Sequence, residues 1–175
     1  MHGSYLASDR PLKEHHSTRS VQCWPDALRP RGRGAIIAGG MNMQTFTVKT
    51  KSRSDLADVT NEVSDAVRRF GLKHGAVLVF VPHTTAGVTI NENADPSVRR
   101  DLVAILDRLI PWEAGYEHGE GNSAAHAKSS LVGSSVTVPV ENGALALGTW
   151  QGIYFCEFDG PRMRQVIVQA LAGGK

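Results

Sequence analysis

Apolar and polar positions fall into order only beyond residue 42. Over residues 44–50 (QTFTVKT) the two kinds alternate, with Phe46 and Val48 on one face and Thr45, Thr47 and Lys49 on the other. That period of two predicts a half-buried strand. Leu56, Val59, Val63, Val67 and Phe70 then recur at helical spacing. Ser54 is the expected cap of this helix, with Asp55 and Asp58 in its first turn, where carboxylates suit the positive end of the dipole. Gly71 supplies its stop. Residues 76–81 form a continuous apolar run closed by Pro82, the pattern of a strand buried on both faces. A short strand over 87–90 leads to Asp95 and Pro96, a cap followed by proline at the first helical position. Val98, Leu102, Ile105, Leu106 and Leu109 mark the stripe of that second helix, and Pro111 closes it.

Residues 112–130 fit neither period and read as a long polar segment. Runs at 135–140 and 144–147 flank Glu141-Asn142-Gly143, and Asn-Gly between alternating runs predicts a tight hairpin. Strands over 153–158 and 165–171 follow, separated by Asp159-Gly160-Pro161. The order predicts an α+β fold: an antiparallel-rich sheet or sandwich with two helices packed on it, one domain over 43–175. Residues 1–42 lack periodicity and contain Pro11, Pro25 and Pro30, so they read as a disordered extension. Met41 or Met43 is the expected natural start, which makes the extension non-native. The pair His15–His16 reads as solvated.

The 175 residues suit one core, with 41% of them hydrophobic and 21% charged. The net charge is only +2. Residues 1–42 hold six basic and three acidic side chains, so the excess belongs to the extension. That balance argues against a nucleic-acid partner. No apolar run approaches the ~20 residues of a membrane helix. Cys23 and Cys156 cannot form a disulfide framework and read as reduced thiols of a cytoplasmic protein.

Long structureless segments inside compact domains are usually functional. The segment from Trp112 to Lys128 gathers His118, His126, Glu117, Glu120, Asn122, Ser123 and Lys128, and His83 follows a buried strand. Three neutral imidazoles converging would suit Zn²⁺ or another borderline ion. Taken singly, His118 reads as a surface residue and His126 as a hydrogen-bonding loop pin. Asn91, Glu92, Asn93 and Asp95 read either as an Asx-rich turn or as a cluster presenting Glu92 or Asn93 as base or ligand. Trp150 reads as core packing, whereas Gln151 is harder to place in a core. Glu157 points outward by alternation, with Arg162 and Arg164 near enough in sequence to pair with it or to bind a phosphate.

Three blocks carry a family likeness: HTTAGVTINENADPSVRRDL, YEHGEGNSAAHAKSSLVGSS and LGTWQGIYFCEFDGPRMR. In this order, over about residues 43–173, they resemble the YjbQ family. The chain has Thr85 where Ser is common and Met163 where Arg is frequent, and residues 1–42 have no counterpart. The resemblance implies a sandwich-like subunit assembling as a homotrimer, with His83, His118 and His126 as metal ligands. It also implies a secondary thiamine-phosphate-synthase activity, a transferase joining hydroxymethylpyrimidine diphosphate to thiazole phosphate. Glu92, Asn93, Lys128, Gln151 and Arg162 are the candidate catalytic residues. Arg162, Lys128 and Arg164 would hold phosphate oxygens of a small phosphorylated metabolite. Zn²⁺ suits the histidines, while Mg²⁺ suits diphosphate chemistry and would turn to Glu92 and Asp95. Two other functions fit the same residues: a metal-dependent hydrolase of a phosphorylated or acyl substrate, and a non-catalytic metal or metabolite binder.

Overall fold

The computed structural model describes residues 42–172. The predicted disorder of the extension, its start site, Cys23 and the His15–His16 pair lie outside them. The elements run β1 (Met43–Lys49), β2 (Asp55–Asp58), α1 (Thr60–Phe70), β3 (Gly75–Phe80), β4 (Ala86–Glu92), α2 (Pro96–Leu109), α3 (Ser123–Val132), β5 (Ser135–Glu141), β6 (Ala144–Leu145), β7 (Gln151–Glu157) and β8 (Met163–Ala172). A five-stranded sheet has the order β1-β8-β3-β5-β6, and a three-stranded sheet has the order β2-β7-β4. Every pairing is antiparallel. The α+β reading therefore holds. No helix among the described residues is long and apolar enough to cross a membrane.

The small sheet lies between two apolar layers, and alternation along its central strand explains why. Ile153 and Phe155 of β7 join Val77 and Val79 of β3, Val166 and Val168 of β8, and Val63, Ala66 and Val67 of α1 in the main core. The intervening Tyr154 and Cys156 face the other way, onto Leu56 and Ala125, with Leu102 and Leu106 of α2 packed against them. Six consecutive residues of β7, Gly152 to Glu157, are buried. Such a strand must be apolar on both faces, and the sequence supplies this except at its last position.

Two elements differ from expectation. The predicted first helix begins at Thr60, not after Ser54. Asp55–Asp58 is instead an edge strand on β7, with Leu56 opposite Cys156. Leu56 continues the helical period by coincidence. Val59 holds the N-cap position without a side-chain cap, and Asp58 before it accepts the Thr60 N–H at 2.9 Å and the Thr60 hydroxyl at 2.6 Å. The same hydroxyl accepts from the Ile153 N–H at 2.9 Å, which seats α1 on β7. A third helix, α3, occupies the end of the polar segment. Its buried stripe is Ala124, Ala125, Lys128 and Ser129. Small and polar residues on the inward face leave no apolar period to detect.

Elsewhere the local chemistry acts as expected. The Asp95 side chain accepts from the Ser97 N–H at 2.7 Å with Pro96 behind it. The turn between β5 and β6 places Asn142 at φ 53° and Gly143 at φ 81°, the left-handed pair a two-residue hairpin requires. Trp150, expected in the core, is 64% exposed.

Glu157 ends β7 with no solvent exposure, and Arg164, the second residue of β8, is 7% exposed. The Glu157 carboxylate accepts Arg164 Nε at 2.7 Å and Nη2 at 2.5 Å. It also accepts the Thr50 hydroxyl at 3.2 Å and the N–H groups of Phe158 and Asp159 at 3.1 and 2.9 Å. Arg164 Nη2 donates to Thr85 Oγ1 at 2.9 Å. β7 belongs to one sheet and β8 to the other, so this pair ties the two sheets together. It replaces the outward orientation that alternation suggested for Glu157. Removing one partner strands a buried charge, so Glu157→Ala or Arg164→Ala will lower unfolding free energy by about 3–5 kcal/mol, measured by denaturant titration. Burial pushes the Cys156 thiol up to about 12. In a Cys23→Ser chain, Cys156 will therefore react with a thiol reagent at pH 8 only as the protein unfolds.

Candidate functional site

The turn between β7 and β8 and the segments beside it form the polar end of the small sheet. His83 lies just after β3, half-buried. Its Nε2 accepts the Gln165 N–H at 2.9 Å, so Nδ1 carries the proton of the neutral ring. Burial lowers the His83 pKa, the Arg164 guanidinium lowers it further, and Glu157 opposes both. Next to the turn, Asn122 Nδ2 donates to Asp159 Oδ2 at 3.1 Å. Arg162 is held on the same aspartate, with Nε on the Asp159 carbonyl and Nη2 on its carboxylate, both at 2.6 Å. Gly160 shapes the turn by close approach: a Cβ there would lie 2.5 Å from the Ser52 carbonyl oxygen.

His118 and His126 meet edge to face, with ring centroids 5.6 Å apart and planes at 76°. Helix α3 places Asn122 and His126 one turn apart on one face. Glu120 Oε2 lies 3.8 Å from His118 Nε2. Asn122 Oδ1 is buried and has no hydrogen-bond partner among the described residues. A buried acceptor without a donor is costly, and it marks a place for a water, a cation or a ligand N–H. Neither Asn122 nor Asp159 was singled out from the sequence. Asn122 was one polar residue among many, and Asp159 read as the start of a turn.

The remaining candidates lie elsewhere. Among the described residues, no three His, Cys, Asp or Glu side chains come together as a cation-holding set. Of the expected trio, His118 and His126 meet as a pair, and His83 is engaged through Nε2 by the Gln165 N–H. Lys128 is fully buried, ion-paired with Asp107 and 4.4 Å from the Trp112 ring centroid. Arg53 also packs on Trp112, at 4.7 Å. Lys128 thus anchors the 112–122 segment, and Arg164 is spent on Glu157 and Thr85. Neither is open to a phosphate in this arrangement.

Glu92, Asn93 and Gln151 lie at the opposite end of the small sheet. In the register, Ala86 faces Glu157 at one end and Glu92 faces Gln151 at the other. Six residues of strand separate the two ends, roughly 20 Å. Asn93 Nδ2 donates to Asp58 at 2.8 Å, and its carbonyl oxygen accepts from the Tyr154 hydroxyl. Burial pulls the Asp58 carboxyl up, but hydrogen bonds from Thr60 and Asn93 outweigh it and leave Asp58 below its ordinary value. Gln151 Oε1 accepts the Gly148 N–H at 2.8 Å and closes its own turn. Asp95 serves as the cap of α2.

The His83 shift fixes a pH dependence. Its pKa is depressed in the folded chain, so between that value and ~6.5 the unfolded chain binds more protons. The contribution of the neutral ring is whole above ~6.5 and is lost as pH falls below it. Denaturant midpoints will drop between pH 7 and pH 5, and His83→Gln will flatten that drop.

Residues 44–173 match the family model described as UPF0047 protein YjbQ-like. The chain is 52% identical over 130 residues to UPF0047 protein YugU of Bacillus subtilis, covering 74% of this chain and 98% of that one. It is 37% identical over 121 residues to UPF0047 protein YjbQ of Escherichia coli O157:H7, covering 65% and 85%. Among solved structures, a YjbQ/UPF0047 family protein of Clostridium acetobutylicum matches with TM-score 0.72 and 54% identity, over 73% of this chain and 98% of that chain. A hypothetical protein of Aeropyrum pernix K1 matches with TM-score 0.73 and 39% identity, over 76% and 100%. The matched span takes in both sheets, all three helices and the polar end, and the chain belongs to the YjbQ-like UPF0047 family.

Proposed function

We propose that the polar end binds a divalent cation together with a small phosphorylated metabolite. The reaction we assign to it is the joining of hydroxymethylpyrimidine diphosphate to thiazole phosphate. One observation carries this reading: His118 and His126 meet edge to face, while Asn122, one helical turn before His126, keeps a buried Oδ1 with no partner among the described residues and shares Asp159 with Arg162. Two imidazoles and an amide oxygen fit a borderline cation with positions left for water or substrate. His83 does not complete that set while its Nε2 accepts from Gln165.

In this transfer the thiazole nitrogen attacks the pyrimidine methylene carbon, and the carbon–oxygen bond to diphosphate breaks with its electron pair leaving on oxygen. A bound cation would neutralise charge on the leaving group. Arg162, 53% exposed along its side chain, is held by Asp159 in one orientation and offers its remaining N–H groups to phosphate oxygens. His83, kept neutral, donates through Nδ1 at neutral pH without adding charge. The buried Glu157–Arg164 pair holds the turn fixed, so these groups need no reorganisation when substrate arrives. The Glu92–Asn93–Gln151 end, roughly 20 Å away in one chain, enters this scheme only through a neighbouring copy of a homotrimer.

The test is an end-point assay for thiamine phosphate with purified protein loaded in turn with Zn²⁺ and Mg²⁺, alongside elemental analysis. Product is expected from the native chain. His118→Ala and His126→Ala are expected to lose bound metal and to fall by ~100-fold in activity. Pyrophosphate release without thiamine phosphate would replace the transferase with a hydrolase. A metal-free native chain without turnover would reject both.

A further inference from the structure

A second concavity lies away from the histidines. A cleft of about 360 Å³ opens between the segment leading into β2 and the first turns of α2. Ser54 and Asp55 form one wall, Arg99 and Arg100 the other, and Leu56 and Val103 supply apolar surface. Its size is near the lower end of the range for small-molecule sites, ~300–1,000 Å³.

Arg99 and Arg100 close no ion pair among the described residues, unlike Arg68, Lys128, Arg162 and Arg164. Arg99 is half-buried, its guanidinium 5.8 Å from the centroid of the buried Tyr154 ring. That contact holds it on the inner wall, while Arg100 is exposed at the rim. The acids around them are accounted for. Asp55 Oδ2 accepts the Lys51 N–H at 2.9 Å, Asp58 is bound by Thr60 and Asn93, and Asp95 caps α2. Because the Ser97 N–H is taken by Asp95, the helix end itself offers little to a ligand. Recognition falls to the two guanidinium groups, whose planar forks match phosphate oxygens.

We propose that this cleft binds a small phosphorylated metabolite, with Arg99 and Arg100 on the phosphate and Leu56 and Val103 against its apolar body. Asp55 at the wall favours a ligand body that carries a hydrogen-bond donor. The cleft is linked to Trp112 by a hydrogen bond, an ion pair and a cation–π contact in turn. Ser54 Oγ donates to Asp107 Oδ1 at 3.4 Å, and Asp107 pairs with Lys128 beneath Trp112. None of the residues of the histidine end takes part, so the proposal stands or falls separately from the transferase reading.

The experiment is calorimetric titration of the full chain with inorganic phosphate and with pyrophosphate, in chelator to strip divalent cations. Saturable binding is expected, weakened about tenfold or more by Arg99→Gln and by Arg100→Gln, the loss of one charge-assisted contact. Arg108→Gln and the His118→Ala/His126→Ala pair are expected to bind as the native chain does. Arg100 is exposed, so its replacement tests the cleft even if Arg99→Gln perturbs folding. No saturable binding by the native chain, or binding untouched by Arg100→Gln, would overturn the assignment. Loss on removing the two histidines instead would move the anion to the other site and overturn it equally.

Discussion

A carboxylate with no access to solvent must be paired, and in this fold the pairing of Glu157 sets the architecture. Its partner, Arg164, lies across a short turn and in the other sheet. The carboxylate also gathers the N–H groups of Phe158 and Asp159 and the Thr50 hydroxyl, while Arg164 reaches Thr85. Segments from four places along the chain therefore converge on one buried charge pair. The desolvation cost is large, and it is offset only while every one of these contacts is kept. Such a network tolerates little displacement of the sheets, which is what a precisely shaped polar end requires.

The sandwich of the small sheet between two apolar layers has a functional consequence. With both faces covered, chemistry is confined to strand ends and to the loops beyond them. One end carries His83, His118, His126, Asn122, Asp159 and Arg162. The other carries Glu92, Asn93 and Gln151. The Arg99–Arg100 cleft lies beside the layer formed by α2, reached through the segment that also packs against the β7–β8 turn at Gly160. Trp112 packs against both Arg53 and Lys128, which ties the start of the 112–122 segment to the fold.

Much of this fold was legible because local and tertiary demands agree. The Asn142–Gly143 hairpin, the Asp95–Pro96 cap and the alternation of β1 follow from backbone and burial rules that hold wherever those residues occur. Helix α3 was hidden because Ala124, Ala125, Lys128 and Ser129 face inward, and the aliphatic stem of a paired lysine buries as an apolar residue would. The edge strand β2 was misread because Leu56 happens to extend the period of α1. For the site, residue type drew attention to the histidines, but spacing carries no information on which rings meet. His126 is carried by α3, and His83 accepts from the Gln165 N–H, neither visible in the order of residues. Lys128 shows the converse: a cation in a polar segment reads as a ligand contact until its burial is known.

The account rests on the Glu157–Arg164 pair holding the polar end in one arrangement. Amide hydrogen exchange at Phe158, Asp159 and Gln165, compared between the native chain and Arg164→Lys, measures this directly, because lysine keeps the charge but not the two-pronged contact. Protection of those three amides should fall far more than that of the core amides of β3 and β8. Equal protection in the two chains, or a uniform loss across all strands, would contradict it.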